Sequence, residues 1–312
     1  MIDFILLVAG VAGLWLGTEL TIGGALAVAR RYRLSEFVVG LLVLSIGSDL
    51  PEIAVAVDAG LKSLGGQDAS GVVVGTSIGS VVAQIGFVLG LAALISTLVL
   101  PRSFIVRHGA VLLGATALLL LVSLDGTVTR FEGLVLVLAY GSYVVMLMNG
   151  DTAPAQEPRP LSAGDWKSWL ILAAGLTVVI GSSELTVNSA VSLARTLEIS
   201  EAVIAVLIIG LGTSLPELSI SVSAIIKRRT ELSVGNIIGS NVLDTLLPIG
   251  IAALIARVTV ERNFITFDLP FIFVLTTVVL AFFFGRRGLT RPEGAVILAF
   301  YGAYVAIKLL HI

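Results

Sequence analysis

Two short motifs place a glutamate, a proline and hydroxyl-bearing residues in the middle of apolar segments. One runs from Gly47 to Glu52 and the other from Gly212 to Glu217, 165 residues later. A charged residue at the centre of a membrane costs about 2.5 to 3.5 kcal/mol on insertion scales, and such residues normally face a polar cavity or an ion path. The motifs therefore predict that Glu52 and Glu217 serve ion binding inside a membrane.

The proline of each motif explains how backbone oxygens could join the carboxylate. Proline lacks an N–H group and disturbs the helical hydrogen bond to the carbonyl four residues earlier. For Pro51 that carbonyl belongs to Gly47, and for Pro216 it belongs to Gly212. Each motif is therefore expected to break its helix and to free carbonyl oxygens. Hydroxyl groups within one turn of the glutamates add oxygen donors: Ser48, Thr213 and Ser214.

Polar side chains also recur on the helices that follow the motifs. Ser80 and Gln84 lie four residues apart, as do Ser240 and Asp244, and this spacing places both members of a pair on one helical face. If the two halves of the chain pack about a pseudo-twofold axis, these faces meet the motifs. Four carboxylates would then lie together: Asp49, Glu52, Glu217 and Asp244. This set lacks soft ligands, so it favours calcium, sodium, magnesium or a proton as cargo.

Other interpretations remain open for some of these residues. Ser80 and Ser240 end the segments Gly75–Ser80 and Gly235–Ser240, whose glycines are spaced four residues apart and could serve close helix packing. Packing and ligand roles are weighed equally for the two serines. Glu19 and Glu184 also lie within apolar segments, where they could touch the ion path.

The composition indicates a membrane protein with many spans. The chain has 312 residues, of which 57% are hydrophobic and 13% charged, and its mean hydropathy is +1.06, far from soluble domains. It has no cysteine and only two histidines, which excludes thiol catalysis and a histidine-based zinc centre. A net charge of -2 without a large basic block gives nucleic-acid binding no basis. No cofactor is expected, and the first apolar segment is expected to be a retained helix.

Apolar runs long enough to cross a membrane predict ten helices in an all-α fold. A polar segment divides them into a first five-helix repeat (1–148), a linker (149–166) and a second five-helix repeat (167–312). The predicted spans are 2–28, 36–62, 70–99, 104–124, 131–149, 167–195, 201–226, 232–257, 265–285 and 292–310.

The two halves resemble each other in sequence. Thr18–Thr21 matches Ser183–Thr186 at an offset of 165, and later segments match at offsets of 160 and 161. Because five spans is an odd number, the second copy must enter the membrane the other way up. Inverted repeats with broken helices are typical of secondary transporters that bind their cargo near the midplane.

Basic residues predict the orientation. Thirteen of the nineteen Lys and Arg residues fall in the loops on the side of the 149–166 linker. Since such residues are enriched on the cytoplasmic side, both termini are expected outside the cell. Arg30, Arg31 and the run Lys227–Arg229 are interpreted as topology signals, and Asp58 is expected at the outer interface.

The segments Gly212–Glu217 and Gly235–Asp244 resemble the second alpha repeat of the cation/calcium antiporter superfamily, which includes the sodium/calcium exchangers and their prokaryotic relatives. The resemblance extends over essentially the whole chain. It implies a calcium site on Glu52 and Glu217, flanking sodium sites, and sliding of the first and sixth helices across the bundle. By motif position it also implies ligands elsewhere: Ser48, Ser80, Thr213, Ser214, Ser240, Asp244 and the carbonyls of Ser45 and Gly210.

The first half departs from the family pattern. Asp49 stands where the second copy has Ser214, Gln84 stands where the family often has Asn or Asp, and Thr76 replaces the asparagine seen at Asn236. The leading hypothesis is a monomeric sodium/calcium antiporter in the lipid bilayer. The closest alternative exchanges calcium or another divalent cation for protons carried by Asp49. An intramembrane aspartyl protease lacks its Gly-x-Gly-Asp signature here, and a channel usually needs several chains.

Overall fold

The computed structural model describes residues 2–32, 34–150, 165–198, 210–286 and 288–310. Almost all of them are helical. The α-helices are α1 Ile2–Tyr32, α2 Glu36–Val38, α3 Ser45–Ser48, α4 Leu50–Leu64, α5 Ser70–Val82, α6 Leu89–Ile95, α7 Arg102–Ser123, α8 Arg130–Gly150, α9 Asp165–Thr196, α10 Gly210–Gly212, α11 Leu215–Ile226, α12 Thr230–Ile255, α13 Leu269–Arg286 and α14 Arg291–Leu310. In these ranges, three π-helical segments interrupt the spans, at Val39–Leu44, Ala83–Val88 and Phe264–Asp268.

Within the described ranges, eight helices are long and apolar enough to cross a membrane, and a bent pair adds a ninth. Their bounds lie within about four residues of the predicted spans. The first residues of the predicted span 201–226 lie outside the described residues, and its remainder contains α10 and α11. The linker at 151–164 and Arg33 also lie outside them. The structure is therefore an all-helical membrane protein.

The two proline motifs interrupt their helices as expected. In the first, Asp49 ends α3 and directly precedes α4, and the two parts of this span meet at an angle of 45°. Pro51 lies in the first turn of α4, where its missing N–H has no helical partner anyway. In the second, Thr213 and Ser214 separate α10 from α11, and Pro216 occupies the matching first turn.

Helices α1 and α9 pack against each other along their length through glycines. A Cβ atom placed on Gly175 would lie 2.5 Å from the backbone nitrogen of Thr21, and one on Gly10 would lie 3.0 Å from that of Thr186. These are equivalent contacts, because the offset of 165 converts Gly10 into Gly175 and Thr21 into Thr186. Close backbone approach of this kind is how helices associate in lipid.

Short backbone pairings outside the helices repeat in the same way. Val128 in β1 (Thr127–Val128) pairs antiparallel with Val258 in β2 (Val258–Thr259). Leu98 pairs antiparallel with Leu289. At the repeat offsets of 160 and 161, Leu98 is equivalent to Val258, and Val128 is equivalent to Leu289. The two pairings therefore occupy equivalent positions in the two copies.

A matched Glu-Gly pair in the last span of each half has a structural role. The Glu132 carboxylate accepts hydrogen bonds from the Thr129 backbone N–H (2.8 Å) and hydroxyl (2.7 Å), and Glu293 does the same with Thr290. Both are capping boxes that start a helix. A Cβ on the following Gly133 would lie 2.8 Å from the carbonyl oxygen of Gly250, so this position requires glycine.

Helix α12 forms the centre of the molecule, and most of its residues are buried. Gly235 and Gly239 bring its backbone against the carbonyls of Phe37 and Leu41. The packing interpretation of this glycine pair is therefore confirmed. At Gly79 in the first half, a Cβ atom would have no described residue within 4 Å. The tight crossing of α12 over the second span fixes the distance between the two halves at their centre.

Candidate cation site

The helix breaks place the two motif glutamates at the starts of new helices. Glu52 lies in the first turn of α4 and Glu217 in the first turn of α11. Helix N-termini favour negative charge because their backbone N–H groups are unpaired. Both side chains are buried, at 6% and 0% exposure. Within the described residues, one carboxylate oxygen of Glu52 and both of Glu217 lack hydrogen-bond partners.

Asp49 connects the first motif to the second half of the chain. It is fully buried at the break between α3 and α4. Its Oδ1 accepts a hydrogen bond from the Ser240 hydroxyl at 3.0 Å and lies 3.3 Å from the Ser48 hydroxyl. Its other oxygen, Oδ2, has no partner in the described part of the chain. Asp49 is therefore oriented by α12, and its carboxyl group also interacts with that of Glu217.

Gln84 and Asp244 form a second connection between the halves. The amide nitrogen of Gln84 donates to Asp244 Oδ2 at 3.0 Å, and both side chains are buried. The two residues occupy equivalent positions in the repeat, so they meet where the copies face each other. Their remaining oxygens, Gln84 Oε1 and Asp244 Oδ1, have no partner among the described residues.

The structure thus brings the four predicted acids into one region. Asp49 interacts electrostatically with Glu52, Glu217 and Asp244, and Glu52 interacts with Glu217 and Asp244. Within the described ranges, no three His, Cys, Asp or Glu side chains come close enough to hold one metal ion by themselves. Hydroxyl, amide and carbonyl oxygens would have to complete the ligand shell of any cation bound here.

The predicted hydroxyl donors lie around these acids. Ser80 lies beside the Glu52 carboxylate, and its hydroxyl is 3.5 Å from that of Thr213. The Ser48 hydroxyl reaches the Ser45 carbonyl at 3.3 Å. Ser214 is buried, and its hydroxyl has no described partner.

The remaining predicted donors belong to the backbone. The Ser45 hydroxyl donates to the carbonyl of Leu41, and the Ser45 carbonyl accepts hydrogen bonds from the Asp49 backbone N–H at 2.9 Å and the Ser48 hydroxyl at 3.3 Å. Gly210 begins α10, directly before the second break.

Sequence reasoning missed two residues near the acids. Tyr140 of α8 is buried, and it interacts electrostatically with Asp49 and Asp244. Ser77 lies close to Asp244 among tightly packed residues, and its buried hydroxyl has no described partner. The sequence feature that could have identified Tyr140 is its match with Tyr301 in the second half, at the offset of 161.

The acids weighed for the ion path, Glu19 and Glu184, lie apart from this cluster. Glu19 forms an ion pair with Lys227 at 2.5 Å, and Glu184 is exposed. Asp58 pairs with Lys62 at 2.6 Å, with both side chains more than half exposed, which agrees with a position at an interface. The structure places none of the three beside Asp49 or Asp244.

Comparison with known proteins assigns this arrangement to a family. The model of the family described as sodium/calcium exchanger protein matches residues 2–149 and 167–310. The chain belongs to the sodium/calcium exchanger family. This is a family of membrane-embedded ion exchangers, not of enzymes.

Individual relatives cover nearly the whole chain. The CaxA protein of Alkalimonas amylolytica is 31% identical over 89% of this chain and 90% of its own. The sodium/calcium exchanger MaX1 of Methanosarcina acetivorans is 25% identical, with 98% of each chain covered. A structure of the sodium-calcium exchanger NCX_Mj, soaked with Na⁺ and Ca²⁺, superposes with a TM-score of 0.83 at 27% identity over 98% of each chain.

Proposed function

We propose that this protein exchanges calcium for sodium across the membrane by alternating access. The observation that carries the proposal is the burial of Glu52 and Glu217 at two equivalent helix starts, with carboxylate oxygens that no described residue satisfies. Buried carboxylates need compensation by a cation, a hydrogen bond or a proton. A divalent cation between the motifs would compensate both glutamates at once.

The proposed ligand set extends to the other oxygens of the cluster. Asp49 and Asp244 supply one unpartnered carboxylate oxygen each, and Gln84 supplies its amide oxygen. Further ligands would come from hydroxyl and carbonyl groups: Ser45, Ser48, Ser80, Gly210, Thr213, Ser214 and Ser240. Flexible oxygen ligands of several kinds suit calcium and sodium better than magnesium, which demands near-ideal octahedral geometry.

We further propose ten spans arranged as two inverted five-helix repeats, joined by a cytoplasmic linker, with both termini outside. The equivalent contacts of Gly10 and Gly175, and the equivalent backbone pairings at Leu98 and Val258, support the repeat. The thirteen-to-six distribution of basic residues supports the orientation. One chain holds both motifs, so a monomer is sufficient for transport.

Proton-coupled calcium exchange is the second candidate, favoured by one observation. Asp49 is a titratable side chain at the position where the second motif has the neutral Ser214, and it lies in the cluster with Glu52 and Asp244. A carboxylate at this position can take up a proton when calcium leaves, whereas a hydroxyl cannot.

Flux measurements separate the two candidates. The purified protein is reconstituted into liposomes, and radioactive calcium uptake is measured with an outward sodium gradient, with an outward proton gradient, and with neither. The proposal expects uptake with the sodium gradient alone. Uptake driven only by the proton gradient would replace sodium with protons as the counter-ion, and no gradient-driven uptake in either case would overturn the antiport assignment.

A further inference from the structure

An ion pair joins α1 to the helix of the second motif. Lys227, directly after α11, places its Nζ atom 2.5 Å from the Glu19 carboxylate on α1. One turn earlier on α11, the Ser223 hydroxyl lies 3.5 Å from that of Thr18. Both side chains of the ion pair are only partly exposed, at 31% and 42%. This cluster ties α1 to the C-terminal end of the helix that carries Glu217.

The equivalent residues of the first half are paired differently. The offset of 165 converts Glu19 into Glu184 on α9 and Lys227 into Lys62 on α4. Lys62 instead pairs with Asp58 on its own helix at 2.6 Å. Glu184 is exposed and forms no ion pair with any residue in the described ranges. The same two charges are therefore joined in one copy and separated in the other.

Such a difference between equivalent contacts has a mechanical meaning in a transporter built from inverted repeats. If both halves had identical conformations, the two sides of the membrane would have equal access to the site. Closing one side requires the halves to differ, and exchanging their conformations opens the other side. An ion pair formed in one half only is then expected to break in the alternative state, while its equivalent forms.

We propose that Glu19–Lys227 and Glu184–Lys62 are alternative latches, each of which stabilises one access state. Glu19–Lys227 is closed in this structure. In the opposite state, Glu184 on α9 reaches Lys62 on α4, and Lys227 separates from Glu19. This inference rests on the proposed alternating-access function and assigns positioning roles to charges that lie apart from the cation site.

Asp58 makes the two latches unequal. Its equivalent in the second half is Ser223, which cannot form an ion pair with Lys227. When Glu19 leaves, Lys227 therefore loses its carboxylate partner, whereas Lys62 always has Asp58 four residues away. Asp58 competes with Glu184 for Lys62, so the second latch is the weaker one. The chain is expected to favour the state in which Glu19 and Lys227 are joined.

The absence of native cysteines allows both latches to be measured directly. Cysteines are introduced in pairs at positions 19 and 227 or at positions 62 and 184, and the reconstituted protein is treated with a short thiol cross-linker. We expect the first pair to cross-link at rest. The second pair should cross-link only when calcium and sodium gradients of opposite direction sustain turnover, and each cross-link should stop calcium uptake. Cross-linking of the second pair at rest at the same rate as the first, or none under turnover, would overturn the proposal.

Charge variants test the competition by Asp58. In the chain with cysteines at positions 19 and 227, which keeps Lys62, Asp58 and Glu184, Asp58→Ser should strengthen the second latch and reduce cross-linking between positions 19 and 227 by roughly two- to fivefold, the effect of a partly exposed ion pair. Charge exchange, Glu19→Lys with Lys227→Glu, should restore the uptake that Glu19→Lys alone reduces. Glu36→Gln breaks a comparable ion pair with Arg229 (2.8 Å) and should leave cross-linking between positions 19 and 227 unchanged.

These outcomes are distinct from failure of the proposed function. Cross-linking between positions 62 and 184 reports a conformation and does not depend on which ion drives uptake. If uptake requires protons instead of sodium, the latch proposal still predicts the same cross-linking pattern under proton-driven turnover. If Asp58→Ser leaves cross-linking between positions 19 and 227 at the parent's level, Asp58 does not compete for Lys62 and the two latches are not unequal.

Discussion

The surroundings of Asp49 in the candidate site, called here the Asp49 corner, differ from the surroundings of the equivalent residue, Ser214, called the Ser214 corner. Asp49 is held by the Ser240 hydroxyl of the opposite half at 3.0 Å, whereas the Ser214 hydroxyl has no partner in the described part of the chain. In the helices that follow, the acid belongs to the second half instead: Asp244 occupies the position equivalent to Gln84, and the two side chains face each other. Each half thus contributes two acids, but the second acid occupies a different position in each.

This difference shows how an internal repeat can hold an asymmetric site. The equivalent pair Glu52 and Glu217 keeps the same chemistry in both halves, as the proposed binding of a single ion between them requires. The additional acids, Asp49 and Asp244, are each hydrogen-bonded by a neutral residue from the other half. Four carboxyl groups are therefore retained, while the Asp49 corner carries an acid where the Ser214 corner carries a hydroxyl.

The largest expected effect tests what the two corners share. Glu52→Gln and Glu217→Gln each remove one charge from a buried site at nearly constant volume, and we expect each to reduce calcium uptake by at least about 100-fold, because an unbalanced buried charge costs several kcal/mol. Uptake into liposomes measures the effect. Glu231→Gln, in the exposed first turn of α12, is the matched control. Near-parent uptake in both buried variants would exclude calcium binding by these glutamates.

Replacing the distinguishing acid should have the next largest effect. Asp49→Ser makes the first motif resemble the second and removes one carboxylate, so we expect calcium affinity to fall about tenfold, the cost of a lost hydrogen bond to a charged group. Because the variant lacks the proposed proton carrier, sodium-driven uptake should persist while any proton-driven uptake is lost. Unchanged affinity and an unchanged ratio of the two rates would place Asp49 outside the transport cycle.

The hydroxyl partners provide a finer comparison. Ser240→Ala removes the hydrogen bond to Asp49, and we expect a roughly two- to tenfold loss of calcium affinity, since the net contribution of a typical hydrogen bond is about 0.5 to 1.5 kcal/mol. Ser214→Ala should change affinity by less than about twofold unless the Ser214 hydroxyl binds the cation directly. Calcium titration of both variants measures the difference. Equal losses would show that the hydroxyl at the second corner is also a ligand.

Two single-cysteine variants test the proposed inversion of the two halves, and we expect them to have the smallest effect on transport. Single cysteines at Asp68 and Ala155, which replace no site residue, should leave calcium uptake unchanged. Position 155 lies outside the described residues, and Asp68 caps the start of α5 through a 3.0 Å hydrogen bond from the Ser70 backbone. An impermeant thiol reagent applied to intact cells should label position 68 but not 155. The reverse pattern would invert the proposed orientation.

Sequence reasoning predicted the spans, the two helix breaks and the four acids because these depend on local composition and on proline chemistry. It did not predict that Ser240 bonds to Asp49 or that Gln84 meets Asp244. Both contacts join residues far apart in the chain and depend on how tightly Gly235 and Gly239 let α12 approach the second span. The π-helical segments and the position of Tyr140 likewise follow from packing between helices rather than from periodicity.

The glycine contacts between α1 and α9 have a consequence for the origin of the chain. Because the contact of Gly10 with Thr186 and that of Gly175 with Thr21 are equivalent, the interface is self-complementary, as in a twofold symmetric dimer. A half-length chain would carry every residue needed to form it with a second copy inserted in the opposite orientation. Duplication and fusion of such a gene would preserve this interface, and only then could Asp49 and Asp244 diverge from their counterparts independently.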